Sequence, residues 1–209
     1  GVRFLAALDT RAGGTWLVVN EYGMTVAILN YYDAETRPAV GDARYRSRGL
    51  LVMELAGVAA SSDLLMRLSG MELETYRPFI LAGIQADGRA GLLRWDGASL
   101  QVEALTPADL PVTTSSFHTA AVIAARRARF AEQVGSRPVT ADALEAFHHG
   151  RDPLGGAYSV TMTRPDALTV SFSKVTVGAG EISYYYQPRA AVGDDPEYAP
   201  GVEAVMPRR

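Results

Sequence analysis

The sequence predicts an α+β sandwich, and three observations carry that expectation. Segments rich in β-formers occur in runs joined by short glycine-containing turns. Helical segments also occur in runs, and the regular strand-helix-strand alternation of a doubly wound sheet is missing. At 209 residues with 48% hydrophobic content, one core is expected, spanning residues 1–187 as a single domain. Residues 188–209, which contain Pro, Gly and acidic groups, are expected to form a loosely packed tail.

Arg3 to Leu8 and Thr15 to Val19 read as strands, separated by Arg11-Ala12-Gly13-Gly14, where two glycines supply backbone angles that other residues avoid. Asn20-Glu21-Tyr22-Gly23 separates Trp16-Leu17-Val18-Val19 from the strand Met24 to Leu29. That connection has hairpin length, with Gly where a positive φ is needed. Tyr31 to Ala43 holds Pro38, Gly41 and several charges without a period, and reads as a surface loop. Ser47, a favoured N-cap, precedes apolar Leu51, Leu55 and Val58 at helical spacing, so a helix is expected to about Ala60. A second helix, Asp63 to Leu68, is expected to be capped by Ser61 or Ser62 and ended by Gly70.

Phe79 to Ile84, Ala90 to Trp95 and Leu100 to Leu105 follow as a three-stranded meander, joined at Asp87-Gly88 and Asp96-Gly97. Phe117 to Gln133 reads as a long helix with a basic segment, and Thr140 to His149 as another, capped by Thr140 and ended by Gly150. Tyr158 to Met162, Leu168 to Val177 and Glu181 to Tyr186 are expected as closing strands, with turns at Pro165-Asp166 and Gly178-Ala179-Gly180.

Composition and motif searches exclude much. A formal net charge of -3 gives no field to gather nucleic acid or an anionic membrane. The apolar run Leu50 to Ala60 is broken by Glu54 and Gly57 and falls short of the roughly 20 residues a membrane span needs. The absence of Cys removes disulfides and thiolate metal sites, which agrees with a cytoplasmic location. Gly13-Gly14-Thr15 is not a phosphate loop, because no Lys follows and the next element is a strand rather than a helix. His118, His148 and His149 have no metal-ligand spacing, so no metal or other cofactor is expected. No Gly-x-Ser-x-Gly elbow is present.

Asp9-Thr10-Arg11-Ala12-Gly13-Gly14-Thr15-Trp16, followed by Asn20, Gly23 and Leu29-Asn30-Tyr31, resembles the Asp-x-x-x-Gly-Gly-Thr-Trp-x-x-x-Asn-x-x-Gly…Leu-x-Asn-Tyr pattern of the NRDE family. That family, which includes the transport and Golgi organisation protein 2, is named for an Asn-Arg-Asp-Glu motif. Ser47-Arg48-Gly49, Asp96-Gly97, Thr113-Thr114-Ser115-Ser116 and Arg126-Arg127-Ala128-Arg129-Phe130 add support. So do Tyr158-Ser159 and Arg164-Pro165-Asp166-Ala167. The resemblance covers nearly all of residues 1–187. It implies an N-terminal-nucleophile hydrolase architecture: an αββα sandwich of two antiparallel sheets flanked by helices.

In such enzymes an N-terminal Cys attacks an amide, and its own amine, with a pKa near about 8, takes the proton. The Cys and the Asn-Arg-Asp-Glu motif of the family would precede the segment matching Arg3 to Asp9. A chain opening Gly1-Val2-Arg3 therefore reads as lacking the nucleophile and the first strands, and is expected to be inactive alone. By the same resemblance Asn30 takes the oxyanion position, where a side-chain amide contributes ~10²- to 10³-fold in rate. The alternative for Asn30 is a turn residue at a strand end.

Ser115 falls where related hydrolases orient substrate, although helix capping also explains it. By the same resemblance Arg127, or its neighbour Arg126 or Arg129, matches a following arginine, and a solvated basic helix face is the simpler alternative. Tyr31, Tyr32 and Trp16 are the candidate substrate-binding aromatics. The activity implied is hydrolysis of a small-molecule linear amide or a related acyl transfer. The rival is a non-catalytic carrier of a hydrophobic ligand such as haem or lipid.

Overall fold

The computed structural model describes residues 1–35, 45–135, 139–189 and 197–209. Most of the surface loop expected after Tyr31 therefore lies outside the described residues. The chain forms two compact units: Gly1–Thr106 with Lys174–Tyr185 and Glu203–Arg209, and Pro107–Ser173 with Tyr186–Val202.

In the first unit, β1 (Phe4–Ala6), β2 (Leu17–Asn20), β3 (Thr25–Asn30), β4 (Phe79–Ile84), β5 (Ala90–Trp95) and β6 (Leu100–Ala104) form one sheet in sequence order. All five pairings are antiparallel. The β2–β3 hairpin turns where the glycine signal placed it: Gly23 has φ 78° and its N–H donates to the Asn20 carbonyl at 2.8 Å. The two Asp-Gly turns of the meander behave likewise, Gly88 and Gly97 having φ 84° and 100°. Asp96 Oδ1 accepts the Ala98 and Ser99 N–H groups at 2.8 and 2.7 Å, an Asx turn that closes the connection.

Between β3 and β4 the chain forms α1 (Arg48–Leu55) and α2 (Ser61–Ser69). Ser47 caps α1 as its sequence position predicts, accepting from Gly49 N–H at 3.3 Å. The expectation for α2 was wrong in its cap. Ser61 is the first helical residue and Ala60 the N-cap, because the Ser61 N–H is satisfied by Gln85 Oε1 at 3.2 Å. A partner distant in sequence does the work assigned to a local hydroxyl.

Cross-strand register puts Val26, Ile28 and Asn30 opposite Gly83, Leu81 and Phe79, so these six share one sheet face. Leu51, Leu55 and Leu64, all 0% exposed, pack into the core built on that face. A Cβ on Gly83 would lie 2.9 Å from Leu64 Cδ2, so glycine lets α2 sit close to β4. The opposite face is also buried, through Val19, Ile80, Ala82 and Leu92.

Asn20, 1% exposed, joins the hairpin to α1. Its Oδ1 accepts from Tyr22 and Met24 N–H at 3.1 and 3.2 Å, while Nδ2 donates to the Ala56 and Val58 carbonyls at 3.0 and 2.6 Å. Carbonyls at a helix C-terminus have no intrahelical partner, and here one side-chain amide supplies two.

Strands β7 (Ser171–Val177), β8 (Glu181–Pro188) and β9 (Val202–Pro207) form a second sheet in that order. The last of them falls within residues 188–209. In the second unit α3 (Thr119–Gln133) and α4 (Ala141–His148) pack through Phe130 and Phe147, edge to face at 5.0 Å between ring centroids. Thr140 caps α4 as expected, accepting from Ala143 N–H at 3.2 Å.

The strand expected over Tyr158 to Met162 is not formed; Gly156–Tyr158 is a short 3₁₀ turn. The backbone there is claimed by side chains. Arg126 Nη2 donates to the Ala157 and Ser159 carbonyls at 2.7 and 3.0 Å, and Thr169 Oγ1 accepts from Met162 N–H at 2.9 Å. A ladder would need those same groups. Among the described residues no helix is long and apolar enough to cross a membrane.

Candidate functional site

A cavity of about 620 Å³ opens in the first unit at the end of β3. The sequence folds it from three pieces. The first is the Asp9 to Trp16 turn, where Asp9 Oδ1 accepts the Arg11 and Ala12 N–H groups at 2.9 and 3.3 Å and Gly13 takes φ 71°. Gly14 then crosses the start of α1: a Cβ there would lie 2.4 Å from the Gly49 carbonyl carbon. The Thr15 N–H donates to the Gly49 carbonyl at 3.1 Å, fixing the crossing. The glycines of the Gly-Gly-Thr-Trp block thus seat one cavity wall on the N-terminus of α1.

The second piece is the end of β3, where Ile28 and Asn30 line the cavity with Tyr32 just beyond. The third is the segment entering α1, Tyr45 to Gly49, with Arg77 before β4. Arg48 sits at the centre. Its Nη1 donates to Asn30 Oδ1, its Nη2 to Glu35 Oε1, and its Nε to the Arg77 carbonyl at 3.4 Å. The Arg48 and Glu35 side chains are only 15% and 12% exposed.

Desolvation lowers the Arg48 pKa from the ordinary arginine value, and the Glu35 carboxylate works against that shift. Guanidinium has no acceptor, so the oxygen of Asn30 must face Arg48. Asn30 Nδ2 therefore points the other way and donates to Tyr32 Oη at 2.7 Å. An amide nitrogen carries two hydrogens, and among the described residues Tyr32 Oη takes one of them.

Two other arginines line the cavity, with different surroundings. Arg46 pairs with Glu54, and that hydrogen bond raises its pKa. Glu54 also accepts from Tyr76 Oη at 3.5 Å. Arg77 stacks its guanidinium over the Tyr45 ring at 5.3 Å and has no carboxylate partner among the described residues.

Of the residues singled out from sequence, Asn30, Tyr32 and Trp16 line this one cavity. Tyr31 lies beside it in sequence, its N–H donating to the Pro78 carbonyl at 3.2 Å and its ring 6.0 Å from the Arg94 guanidinium. Ser115 and Arg127 belong to the second unit. Ser115 is 5% exposed, and its hydroxyl is used within its own turn, accepting from Phe117 N–H and donating to the Phe117 carbonyl. Arg127 is exposed on α3, while its neighbour Arg126 turns inward to oxygens of Thr113, Thr114, Ala157 and Ser159.

Sequence reasoning missed Arg48, Glu35 and Arg77. A signal for Arg48 was present: a cation in the first turn of a helix opposes the macrodipole, so its position there calls for another explanation. Nothing local marks Glu35 or Arg77, whose role follows from distant elements meeting.

No curated protein matches the chain. The sequence profile described as Transport and Golgi organisation 2 matches residues 2–133. That stretch contains every residue named as lining the cavity, and the chain belongs to the Transport and Golgi organisation 2 family.

Proposed function

We propose that the cavity is the substrate site of a C–N hydrolase acting on a linear amide or related acyl compound, with Asn30 as oxyanion donor. The observation that carries this reading is the fixed orientation of Asn30. Arg48 holds its oxygen and Tyr32 Oη takes one amide N–H, and we assign the second N–H of this cavity-lining amide to a substrate carbonyl. A donor set before reaction costs no reorganisation as charge develops on that oxygen.

In the reaction a nucleophile adds to the amide carbon and the oxygen becomes anionic. The C–N bond then breaks as the nitrogen takes a proton, and water releases the acyl group. The sequence contains no cysteine, so this chain is assigned the oxyanion and substrate-holding part of that chemistry, and Trp16 and Tyr32 the contacts to the substrate body. We read residues 1–187 as one αββα domain of the N-terminal-nucleophile type. In support, both faces of the six-stranded sheet are buried and α1 and α2 pack on one of them.

A carrier of a wholly apolar ligand is less well supported, because Arg46, Arg48, Arg77 and Glu35 all line the space. The test is amide hydrolysis by the naturally expressed protein across a panel of linear acyl amides. Asn30→Ala should lower turnover by ~10²-fold or more with substrate affinity little changed. Turnover that survives the substitution would remove Asn30 from the mechanism, and binding without any turnover would favour the carrier.

A further inference from the structure

Among the described residues the cavity is lined by Arg46, Arg48 and Arg77 with Glu35 and Asp9, and Asp9 Oδ1 is taken by the Arg11 and Ala12 N–H groups of its own turn. Arg46 has Glu54 and Arg48 has Glu35. Arg77 has no carboxylate among the described residues, and its nearness to Arg48 helps to lower the pKa of that residue. Three of the five N–H donors of Arg48 are taken by Asn30, Glu35 and the Arg77 carbonyl. Arg48 is therefore a positioning residue for Asn30. Arg77 differs: its guanidinium lies over the Tyr45 ring, its side chain makes no hydrogen bond to a described residue, and a planar fork of that kind matches an oxyanion group in a bidentate way.

We propose that the molecule bound in this cavity carries an anionic group, a carboxylate or phosphate, which Arg77 receives while Tyr45 holds the guanidinium in place. This rests on the reading of the cavity as a substrate site and adds the class of substrate: an acyl amide with a negative charge at one end. A ligand anion would relieve the repulsion between Arg77 and Arg48 as well as pair with Arg77, so binding should weaken as salt is raised.

The test uses the full chain and simple probes, read by fluorescence of Trp16, which lines the same cavity. Glutarate, inorganic phosphate and neutral glutaramide are titrated against the unaltered protein, Arg77→Gln and Arg77→Lys. Saturable binding of either anion, at least tenfold tighter than glutaramide, is expected. Arg77→Gln should lose that preference and Arg77→Lys should keep part of it. Glutarate binding without phosphate would assign a carboxylate ligand, and the reverse a phosphate ester.

Anions that bind no better than glutaramide would overturn the proposal, as would an undiminished preference in a folded Arg77→Gln variant. Circular dichroism checks the fold, and retention in Arg77→Lys separates lost charge from lost structure. If anions bind but the naturally expressed protein turns over no amide, the hydrolase reading fails while the anion site stands.

Discussion

Asn20 should be among the most sensitive positions in the chain, although it lies outside the cavity. Its side chain makes four hydrogen bonds: two tie the hairpin turn and two satisfy carbonyls after α1. Asn20→Ala leaves these groups stranded, three of the four bonds being fully buried. At about 1 kcal/mol net for each bond, the loss comes to about 3–4 kcal/mol. With a urea slope of about 2–3 kcal/mol/M, the unfolding midpoint should fall by about 1.5 M. Both tryptophans, Trp16 and Trp95, lie in the first unit, so their fluorescence follows the unit in which Asn20 sits.

Asn20→Asp makes the account sharper. It keeps the acceptor for Tyr22 and Met24 but places a second oxygen against two carbonyl oxygens. At neutral pH it should be at least as damaging as Ala. Burial against carbonyls raises the folded pKa of that carboxyl above its unfolded value. The variant should therefore regain stability as pH falls, when the protonated acid can donate one bond, and lose it again as pH rises. A midpoint shift under about 0.5 M for Asn20→Ala, or an Asp variant as stable as the parent at neutral pH, would refute the assignment of these four bonds.

Gly14→Ala should destabilise by roughly 3 kcal/mol, the upper part of the range for overpacking, because the three atoms nearest its Cβ would all be Gly49 backbone; Gly180→Ala, with nothing within 4 Å, is the control for the same urea titration. Arg48→Met should strand Glu35 and release Asn30, lowering amide turnover about as much as Asn30→Ala while also lowering the melting temperature, which Asn30→Ala should not. The hydrogen bond from Arg3 holds the Glu21 carboxyl below the usual carboxylate range, so its contribution to stability is present above the unfolded pKa and lost as pH falls through the lower folded value. A urea series in pH should therefore show Glu21→Gln and the parent converging at acid pH. Burial, first, and His149, second, lower the pKa of His148, so the folded state disfavours its protonated form; stability should drop as pH falls below about 6.5, and His148→Phe should remove that component from a thermal scan.

Sequence alone determined the features governed by a few neighbouring residues. The hairpin at Asn20 to Gly23, the two Asp-Gly turns and the caps at Ser47 and Thr140 depend on local φ and on hydroxyls within three residues of the groups they satisfy. Family membership was legible for the same reason, since the Gly-Gly-Thr-Trp block is a continuous string. Asn30 could be singled out at the end of β3, but the direction of its amide could not, because Arg48, eighteen residues on, decides it.

Tertiary structure decided the points where backbone groups had a choice of partner. Arg126 and Thr169 drew the hydrogen-bonding groups of residues 157–162 away from a strand, and Gln85 displaced serine capping of α2. It also assembled Glu35, Arg48 and Arg77 around one cavity. No sequence period encodes such a meeting, because it follows from helix and sheet packing that brings charges from separate elements within hydrogen-bonding reach.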